Sequence, residues 1–278
     1  MKISLIQFTV EEDIEENFSK VKKFLNKALG ENPDFILLPE CFLFLSSNPI
    51  KIKDNALDLN SSYIKFFKDF AKINNLFLLL GSLTIKESNK IFNYSILINP
   101  DGQIVSSYKK IHLFDVLLKN GEQYKESEIF EKGNEICIFK NKEFILGHTI
   151  CYDLRFPKLY RALAKYGSNI ILVPSAFTTT TGKDHWHILV RSRAIENASY
   201  IIAPNQWGKN KNNRSTYGHS LVVNPWGKII ADGGEGEKII NCIIDLNEVE
   251  KARNSIPVLN HDQNFEENII EKYKIIIK

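Results

Sequence analysis

The stretch "FILGHTICYDLRFPKLYRALAKYG" (residues 144–167) joins a strand-like run to a helix-like one. Its first residues are apolar, as is typical of a strand buried on both faces, and the run ends at Cys151. A sharp turn follows, after which Pro157 opens a helix that Gly167 closes. This order resembles the elbow that exposes a nucleophile at the end of a strand. The stretch predicts an α/β fold with a reactive cysteine, and a buried structural cysteine is the alternative.

Short apolar runs of the same kind recur along the chain, and each predicts a buried strand. Between them lie segments with helical periodicity, predicted over residues 14–29, 60–74, 157–166 and 185–198. This alternation is typical of a layered α/β domain with mixed sheets. The further strand runs are "KISLIQF" (2–8), "DFILLPE" (34–40), "NLFLLLGSL" (75–83), "NIILVPS" (169–175) and "YIIAPN" (200–205).

Two turn sequences predict hairpins. Asn-Pro-Asp-Gly (99–102) lies within "NYSILINPDGQIVSSYKK", and Asn-Pro-Trp-Gly (224–227) lies within "GHSLVVNPWGKIIADGG". The chain contains no Pro/Gly/Ser-rich linker and no low-complexity tract. We therefore expect a single domain.

Polar residues follow proline at the ends of three predicted strands. Proline cannot donate to a sheet ladder, so it ends the pairing. Ligands in α/β sheets collect at the carboxyl ends of strands. Because Cys151 also ends a strand, the sequence predicts one shared rim formed by Glu40, Cys151, Ser175 and Asn205.

Glu40 and the Lys109–Lys110 pair are candidates for acid–base and electrostatic roles. Glu40 lies within an apolar stretch, and burial would raise its pKa and suit it to general acid–base work. A glutamate paired with a basic side chain at a strand end is the alternative. The lysine pair would ordinarily be solvated, although apolar residues follow it closely in "YKKIHLFD". The residues alone leave open which lysine turns inward.

Composition excludes several classes of function. The net charge of +3 is spread over 278 residues without a basic block, which argues against a nucleic-acid or membrane surface. No run approaches the roughly 18 apolar residues of a membrane span. The N-terminus turns acidic too early for a signal peptide, so a cytoplasmic protein is expected. The cysteines at 41, 137, 151 and 242 are widely spaced, which predicts reduced thiols rather than disulfides or a zinc site.

Histidines do not support a metal site or a peptidase. His185 and His187 would point in different directions on a helix, so no metal site is predicted. A cysteine peptidase would need a histidine base, and His148 would project from the opposite face of the strand to Cys151. A non-catalytic binding or scaffold protein is a second hypothesis, and a redox sensor is a third.

The chain resembles the nitrilase superfamily of carbon–nitrogen hydrolases from residue 1 to about residue 261. Three motifs carry the resemblance: "LLPE" with Glu40, "YKKIHLFD" with the lysine, and "GHTICYDLRFP" with Cys151. The resemblance implies a four-layer α-β-β-α sandwich and a homodimer or higher homo-oligomer. It selects Lys110 over Lys109, and it places a second, supporting glutamate at Glu126.

Within this superfamily the chain is most similar to the deaminated glutathione amidases. The segments "HWHILVRSRAIE", "YGHSLVVNPWG" and "VPSAF" carry that similarity. It implies hydrolysis of a small carboxylate-bearing ω-amide to acid and ammonia, with deaminated glutathione the best candidate substrate. Omega-amidase activity on 2-oxoglutaramate and hydrolysis of N-carbamoyl amino acids are the alternatives.

The resemblance also implies roles for individual residues, and it implies no cofactor. Cys151 would be the nucleophile, Glu40 the general base and acid, and Glu126 a support for Lys110. Lys110 and the backbone N–H of Tyr152 would stabilise the oxyanion. The predicted substrate-binding residues are Tyr152, Arg155, Ser175 and Phe177, with Arg155 suited to a carboxylate.

The resemblance ends before the C-terminus. It predicts a hydrolase domain over residues 1–262 and a tail over residues 263–278, whose "YKIIIK" segment is interpreted as a strand or an interface arm.

Overall fold

The computed structural model describes residues 1–119, 121–211 and 213–266. Two six-stranded sheets stack face to face at the centre of the protein. The first has the order β16 (Lys238–Ile243), β1 (Lys2–Gln7), β2 (Phe35–Leu37), β3 (Phe77–Glu87), β4 (Lys90–Ile98) and β5 (Ile104–Lys109). The second has the order β15 (Ile229–Asp232), β14 (Leu221–Val223), β11 (Tyr200–Ala203), β10 (Ile170–Leu172), β9 (Ile145–His148) and β8 (Ile138–Lys140).

The six predicted apolar runs are confirmed as strands, and they form the parallel centres of the two sheets. β1, β2 and β3 pair in parallel in the first sheet, and β9, β10 and β11 do so in the second. Antiparallel strands complete both edges. Both predicted hairpins are present: residues 99–102 join β4 to β5, and residues 224–227 join β14 to β15.

Side chains alternate between the two faces of each strand. In β10, Leu172 packs into the apolar layer between the sheets, whereas Ile171 packs against helices on the outer face. Both residues are fully buried, which explains why these strands are apolar at every position.

Helices cover the outer faces of both sheets. Residues of α1 and α3 pack on the first sheet, and residues of α4 and α5 pack on the second. The predicted four-layer α-β-β-α sandwich is therefore confirmed. The helices are α1 (Ile14–Ala28), α2 (Pro49–Asp54), α3 (Ser62–Ile73), α4 (Pro157–Lys165), α5 (Thr179–Asn197) and α6 (Asn247–Ser255).

All four predicted helices are present. One of them begins earlier than predicted, and two further helices were not predicted. Helix α5 begins six residues before the predicted start at residue 185, because the Thr178 side chain caps it by accepting from the N–H of Thr181. The sequence analysis did not predict α2 or α6. Helix α2 has only six residues, too few for a periodic pattern, and is capped by Asn48.

Two short ribbons extend from the sandwich near the carboxyl ends of the central strands. One pairs β6 (Asp115–Leu117) with β7 (Gln123–Lys125), and the other pairs β12 (Trp207–Lys209) with β13 (Ser215–Tyr217). They hold the loops that surround the site described below.

The described residues also bear on three predictions about the chain as a whole. All four cysteines are free thiols, as predicted. None of the helices in the described part of the chain is long and apolar enough to cross a membrane. The predicted "YKIIIK" arm (273–278) lies outside the described residues.

Candidate active site

Cys151 lies on a strained turn at the end of β9. Its φ of +45° is in the left-handed region, which residues other than glycine rarely adopt. A 3-10 turn over Cys151–Arg155 follows, and Pro157 then opens α4. The Cys151 N–H donates to the carbonyl of Pro174 at 3.0 Å, which ties the turn to the neighbouring strand. Strain of this kind is typical of functional sites, and the turn holds the thiol at the rim of the sheet.

Asp153 holds this turn in place. Its buried carboxylate accepts from the Tyr108 hydroxyl at 2.8 Å, from the His112 N–H at 3.1 Å and from the Ile150 N–H at 2.9 Å. His112 Nδ1 lies 2.7 Å from the same carboxylate. The sequence analysis gave Asp153 no role, although this acid lies only two residues after the cysteine.

Glu40 is placed beside the turn by contacts from the second sheet. The Ala176 N–H donates to its Oε2 at 2.9 Å, and the Gln206 side chain donates to its backbone carbonyl at 2.7 Å. Asn93 Nδ2, on β4, donates to Oε1 at 2.9 Å. The side chain is only 4% exposed. Neither Asn93 nor Gln206 was found from the sequence, because both contacts come from the packing of distant strands.

Lys110 is the lysine of the pair that turns inward. Its ammonium lies 2.8 Å from Glu40 Oε1, and 2.9 and 2.8 Å from the two carboxylate oxygens of Glu126. The Phe114 N–H also donates to Glu126, at 2.7 Å. Lys109 points outward and pairs with Glu87 at 2.6 Å. The structure therefore brings Glu40, Lys110 and Glu126 into one hydrogen-bonded group.

The charge state of Glu40 differs from the prediction. Burial raises its pKa, as expected from the sequence, but the charge and hydrogen bond of Lys110, a hydrogen bond from Cys151 and the charge of Arg214 together outweigh burial, and the net pKa lies below its usual value. The predicted rise was wrong because it left out the counter-charge. Burial lowers the pKa of Lys110, yet Glu126 and Glu40 reverse that effect and leave it well above its usual value. The group therefore holds an ionised carboxylate and an ammonium.

The Cys151 thiol is protonated at rest. Burial raises its pKa, and the charge of Glu40 and a hydrogen bond with that carboxylate raise it further, which outweighs the opposing effect of Lys110. A protonated thiol beside an ionised carboxylate is a nucleophile paired with its base. The arrangement can deliver a thiolate to a carbonyl carbon and keep the proton on Glu40.

Two connected cavities open onto this group. A narrow inner cavity is lined by Cys151, Lys110 and Arg155, among other residues. A wider outer cavity of about 520 Å³ is lined mostly by residues 44–52 and 122–130. The residues that line both are Glu40, Phe114, Glu126, Ala176 and Arg214. The inner cavity has a volume of only about 20 Å³, so a substrate larger than a few atoms that is held at Cys151 also occupies the outer cavity.

Three of the four predicted substrate-binding residues line the inner cavity: Tyr152, Arg155 and Phe177. Arg155 lies over the Phe177 ring, with its guanidinium carbon 5.3 Å from the ring centroid. Ser175 does not line either cavity, since it is fully buried and its hydroxyl donates to the carbonyl of Val173 at 3.0 Å. Asn205, expected on the same rim, accepts from the Phe177 N–H at 3.0 Å and supports that residue from behind.

The histidines diverge as predicted. His185 Nδ1 lies 3.3 Å from the guanidinium nitrogens of Arg155, whereas His187 Nε2 lies 3.1 Å from Asp232. His187, His219 and Asp232 form a cluster whose ligand-type atoms lie within 4.8 Å of one another. The sequence analysis missed this cluster because it compared only histidines close together in the chain. His148 lies on the opposite face of its strand to the site, 2.8 Å from the Ser106 hydroxyl of the first sheet.

Comparisons with known proteins agree with this geometry. The carbon–nitrogen hydrolase family model matches residues 2–254. A deaminated glutathione amidase of Dictyostelium discoideum is 39% identical over 99% of this chain and 96% of that protein. The omega-amidase NIT3 of Saccharomyces cerevisiae is 34% identical over 93% of this chain and 91% of its own length. The crystal structure of Saccharomyces cerevisiae Nit3 superposes with a TM-score of 0.83 at 31% identity, over 93% of this chain and 94% of that one. This chain belongs to the carbon–nitrogen hydrolase family, in the nitrilase superfamily, and is a hydrolase of carbon–nitrogen bonds other than peptide bonds.

Proposed function

We propose that the protein is a cysteine-dependent amidase that hydrolyses a small carboxylate-bearing ω-amide, with deaminated glutathione as its substrate. The observation that carries this proposal is the buried contact of Glu40 with both Lys110 and Cys151, which sets a base beside a nucleophile. The similarity to a deaminated glutathione amidase supports the choice of substrate. Omega-amidase activity on 2-oxoglutaramate is the second candidate, supported by the similarity to an omega-amidase.

The first half-reaction forms a thioester. Cys151 Sγ attacks the amide carbonyl carbon while its proton passes to Glu40. The Lys110 ammonium and the Tyr152 N–H stabilise the oxyanion of the tetrahedral intermediate. The carbon–nitrogen bond then breaks, and Glu40 returns the proton to the departing nitrogen. Glu126 keeps Lys110 in place through two hydrogen bonds.

The second half-reaction hydrolyses the thioester. Glu40 takes a proton from a water molecule, whose oxygen attacks the acyl carbon. The carbon–sulfur bond breaks, the thiol regains its proton and the carboxylic acid leaves. In this scheme Glu40 carries every proton transfer, and Lys110 and the Tyr152 N–H stabilise the charge of the oxyanion.

Arg155 is suited to bind a carboxylate on the acyl part of the substrate. It lines the inner cavity with Cys151, and its planar fork matches a carboxylate in geometry. Burial lowers its pKa. An ion pair at this partly buried position is stronger than one in bulk water. Residues Tyr152 and Phe177 line the same cavity and would pack beside the acyl chain.

A substrate panel with matched variants tests the proposal. Deaminated glutathione, 2-oxoglutaramate, N-carbamoyl amino acids and simple nitriles are compared by product release. Cys151→Ala and Glu40→Gln should abolish turnover at every pH, and iodoacetamide should inactivate the enzyme. Cys242→Ser, on β16, removes a free thiol elsewhere and should keep full activity. Turnover by Cys151→Ala, or faster hydrolysis of nitriles than of amides, would contradict the proposal.

We also propose a homodimer in the cytoplasm. Ile188 and Ile195 lie seven residues apart on one face of α5 and are 66% and 51% exposed. Trp226, in the β14–β15 turn, is 60% exposed. Apolar side chains of this size on a surface are typical of an interface between subunits. Light scattering should give twice the chain mass, and the double variant Ile188→Lys with Trp226→Lys should give half of that measured mass.

The free cysteines support the cytoplasm as the compartment, because it keeps thiols reduced.

A further inference from the structure

Three side chains with metal-binding atoms meet at one edge of the second sheet, outside the catalytic group. His187 lies on α5, His219 lies two residues before β14, and Asp232 ends β15. His187 Nε2 is 3.1 Å from Asp232 Oδ2, and His219 Nδ1 is 2.9 and 3.2 Å from the two oxygens of that carboxylate. Two imidazoles that approach one carboxylate from different elements form either a hydrogen-bonded network or a metal site.

The distances fit the coordination shell of a transition metal. Zn²⁺ lies about 2.0–2.2 Å from imidazole nitrogen and carboxylate oxygen, so two ligands of one tetrahedral ion are about 3.3 Å apart. The contacts of Asp232 with His187 and His219 are close to this separation, and all the ligand-type atoms lie within 4.8 Å of one another. The two imidazole nitrogens therefore need to approach each other by at most about 1.5 Å. All three side chains are partly exposed, so an ion can enter from solvent.

The surrounding structure holds two of the three ligands in place. The Gly234 N–H donates to Asp232 Oδ1 at 2.8 Å, and the His219 N–H donates to the carbonyl of Gly234 at 2.8 Å. The indole N–H of the fully buried Trp186 donates to the His219 carbonyl at 2.7 Å. The Tyr217 ring stacks on the His219 imidazole, with the two ring centroids 4.6 Å apart. Contacts of this kind behind a ligand fix its orientation and favour metal binding.

The donor set indicates which ions the cluster suits. Two imidazole nitrogens and one carboxylate oxygen suit Zn²⁺ and its neighbours in the first transition row, whereas Mg²⁺ and Ca²⁺ prefer oxygen ligands alone. With three protein ligands, a tetrahedral ion keeps one position for water. None of the three residues lines the cavities around Cys151, so an ion bound here would take no part in the proposed amide hydrolysis.

We propose that His187, His219 and Asp232 bind one Zn²⁺-class ion per chain, which ties α5 to the β14–β15 edge of the second sheet. The role of this ion is structural, because it joins a helix to strands that follow it by 32 and 45 positions in the chain. His185 is not a ligand, since the helix turns it towards Arg155. A metal that binds only the folded chain stabilises the fold. The proposal is independent of the proposed amidase function.

Zn²⁺ binding by protein without a histidine tag tests the site. Cys151→Ala is the background for every measurement, because Zn²⁺ can also bind that thiol. Isothermal titration calorimetry should give one Zn²⁺ per chain. The Tm should rise by about 5 °C when free Zn²⁺ is about 100 times Kd. Mg²⁺ should not raise the Tm. Co²⁺ at the same site should give visible absorption bands without the near-ultraviolet band of a thiolate–cobalt bond.

Single substitutions identify the ligands. His187→Gln and Asp232→Asn each remove one ligand and keep a side chain of similar size. Each should weaken Zn²⁺ binding by at least about tenfold and reduce the rise in Tm, since even the loss of a contact behind a ligand typically costs that much. His261→Gln is the matched control, because His261 is an exposed histidine outside the cluster. It should bind Zn²⁺ as the background does.

Unchanged Zn²⁺ binding in both ligand variants would overturn the proposal, and so would a thiolate band in the Co²⁺ spectrum. A background protein that binds no Zn²⁺ would overturn it as well and leave a hydrogen-bonded network of two imidazoles and a carboxylate. A Zn²⁺-dependent rise in mass by light scattering would show that the ion bridges two chains instead. None of these outcomes bears on amide hydrolysis, which product release measures separately.

Discussion

Glu40 and Lys110 form an ion pair of 2.8 Å in which both side chains are almost completely buried. A pair so far from water costs desolvation energy, and it persists here because Glu126, Asn93 and the Ala176 N–H satisfy the remaining polar atoms. Its consequence is a fixed charge pattern. Lys110 favours the ionised form of Glu40, and burial together with the charge of Glu40 keeps the Cys151 thiol protonated.

This charge pattern predicts that kcat/KM does not change with pH near neutrality. The pKa of Glu40 is lowered from its usual value of 4.5, so its carboxylate is ionised throughout the neutral pH range. The pKa values of Cys151 and Lys110 are raised, so both stay protonated into the alkaline range. Between about pH 6 and 9 none of the three groups titrates, and kcat/KM should be constant. An enzyme with a free thiol would instead gain activity through the ordinary cysteine pKa of about 8.5. A tenfold rise between pH 7 and 9 would show that Glu40 is not the base.

Lys110→Met should remove activity and also destabilise the fold. The change leaves the buried carboxylate of Glu40 beside the partly exposed carboxylate of Glu126 without a cation between them. Breaking a buried pair in this way typically costs about 3–5 kcal/mol. Lys109→Met is the matched control, because its pair with Glu87 is partly exposed and is worth about 0–1 kcal/mol. Urea unfolding of both variants measures the difference. Equal and small losses would mean that the buried charges are not coupled as the structure indicates.

How far the sequence predicts this site depends on how local each signal is. The turn at Cys151 was predictable because the strand, the turn and the Pro157 helix start are consecutive in the chain. The choice of Lys110 over Lys109 needed the family resemblance, since two adjacent lysines carry the same local signal. Its inward direction follows from the pairing of β4 with β5, where the Lys110 N–H donates to the carbonyl of Asn93.

Contacts that depend on the packing of strands far apart in the chain could not be predicted from the sequence. The contact of Asn93 with Glu40 joins residues 53 positions apart, and that of Gln206 joins residues 166 apart. Ser175 is the opposite case, because the sequence placed it in the site and the structure does not. Its place at a strand end predicted a contact with substrate, but the alternation of side chains turns its hydroxyl back to Val173 and presents the N–H of Ala176 instead. One residue of register along a strand decides which group faces the cavity.

His148 predicts an acid-dependent loss of stability. It lies between the two sheets, against Ser106 and Ser95, and burial lowers its pKa to about 3. The unfolded chain binds a proton near the ordinary pKa of 6.5, whereas the folded chain does not. Stability from this group is complete above pH 6.5 and falls by about 1.4 kcal/mol per pH unit between about pH 6.5 and 3.

His148→Gln should be less stable at neutral pH but should lose stability less steeply on acidification. His261→Gln is the control, because His261 is exposed and its replacement should leave the slope unchanged. Urea unfolding at pH 7, 6 and 5 gives the slope of the unfolding free energy against pH for the wild type and for each of the two variants. If His148→Gln kept the slope of the wild type, other groups would have to account for the acid sensitivity.

Gly81→Ala should displace Glu40 without touching it. Gly81 lies where the register of β3 shifts against β4, and an added Cβ would overlap the backbone carbonyl oxygens of Leu38 and Pro39. Backbone atoms cannot rotate away, so the strand end that carries Glu40 must move. Overpacking of this kind typically costs about 1–3 kcal/mol. A shift of Glu40 by about 1 Å relative to Cys151 would lower kcat by about 100-fold.

Gly30→Ala is the matched control for this substitution, because a Cβ at Gly30 meets no atom within 4 Å. It should change neither kcat nor the urea midpoint. Gly81→Ala should lower both, and its KM should change less than its kcat, since Arg155 and Phe177 follow strands of the second sheet and keep their places in the cavity. A Gly81→Ala enzyme that is less stable but fully active would show that the strand end yields without moving Glu40, and that the Ala176 and Gln206 contacts alone hold the carboxylate.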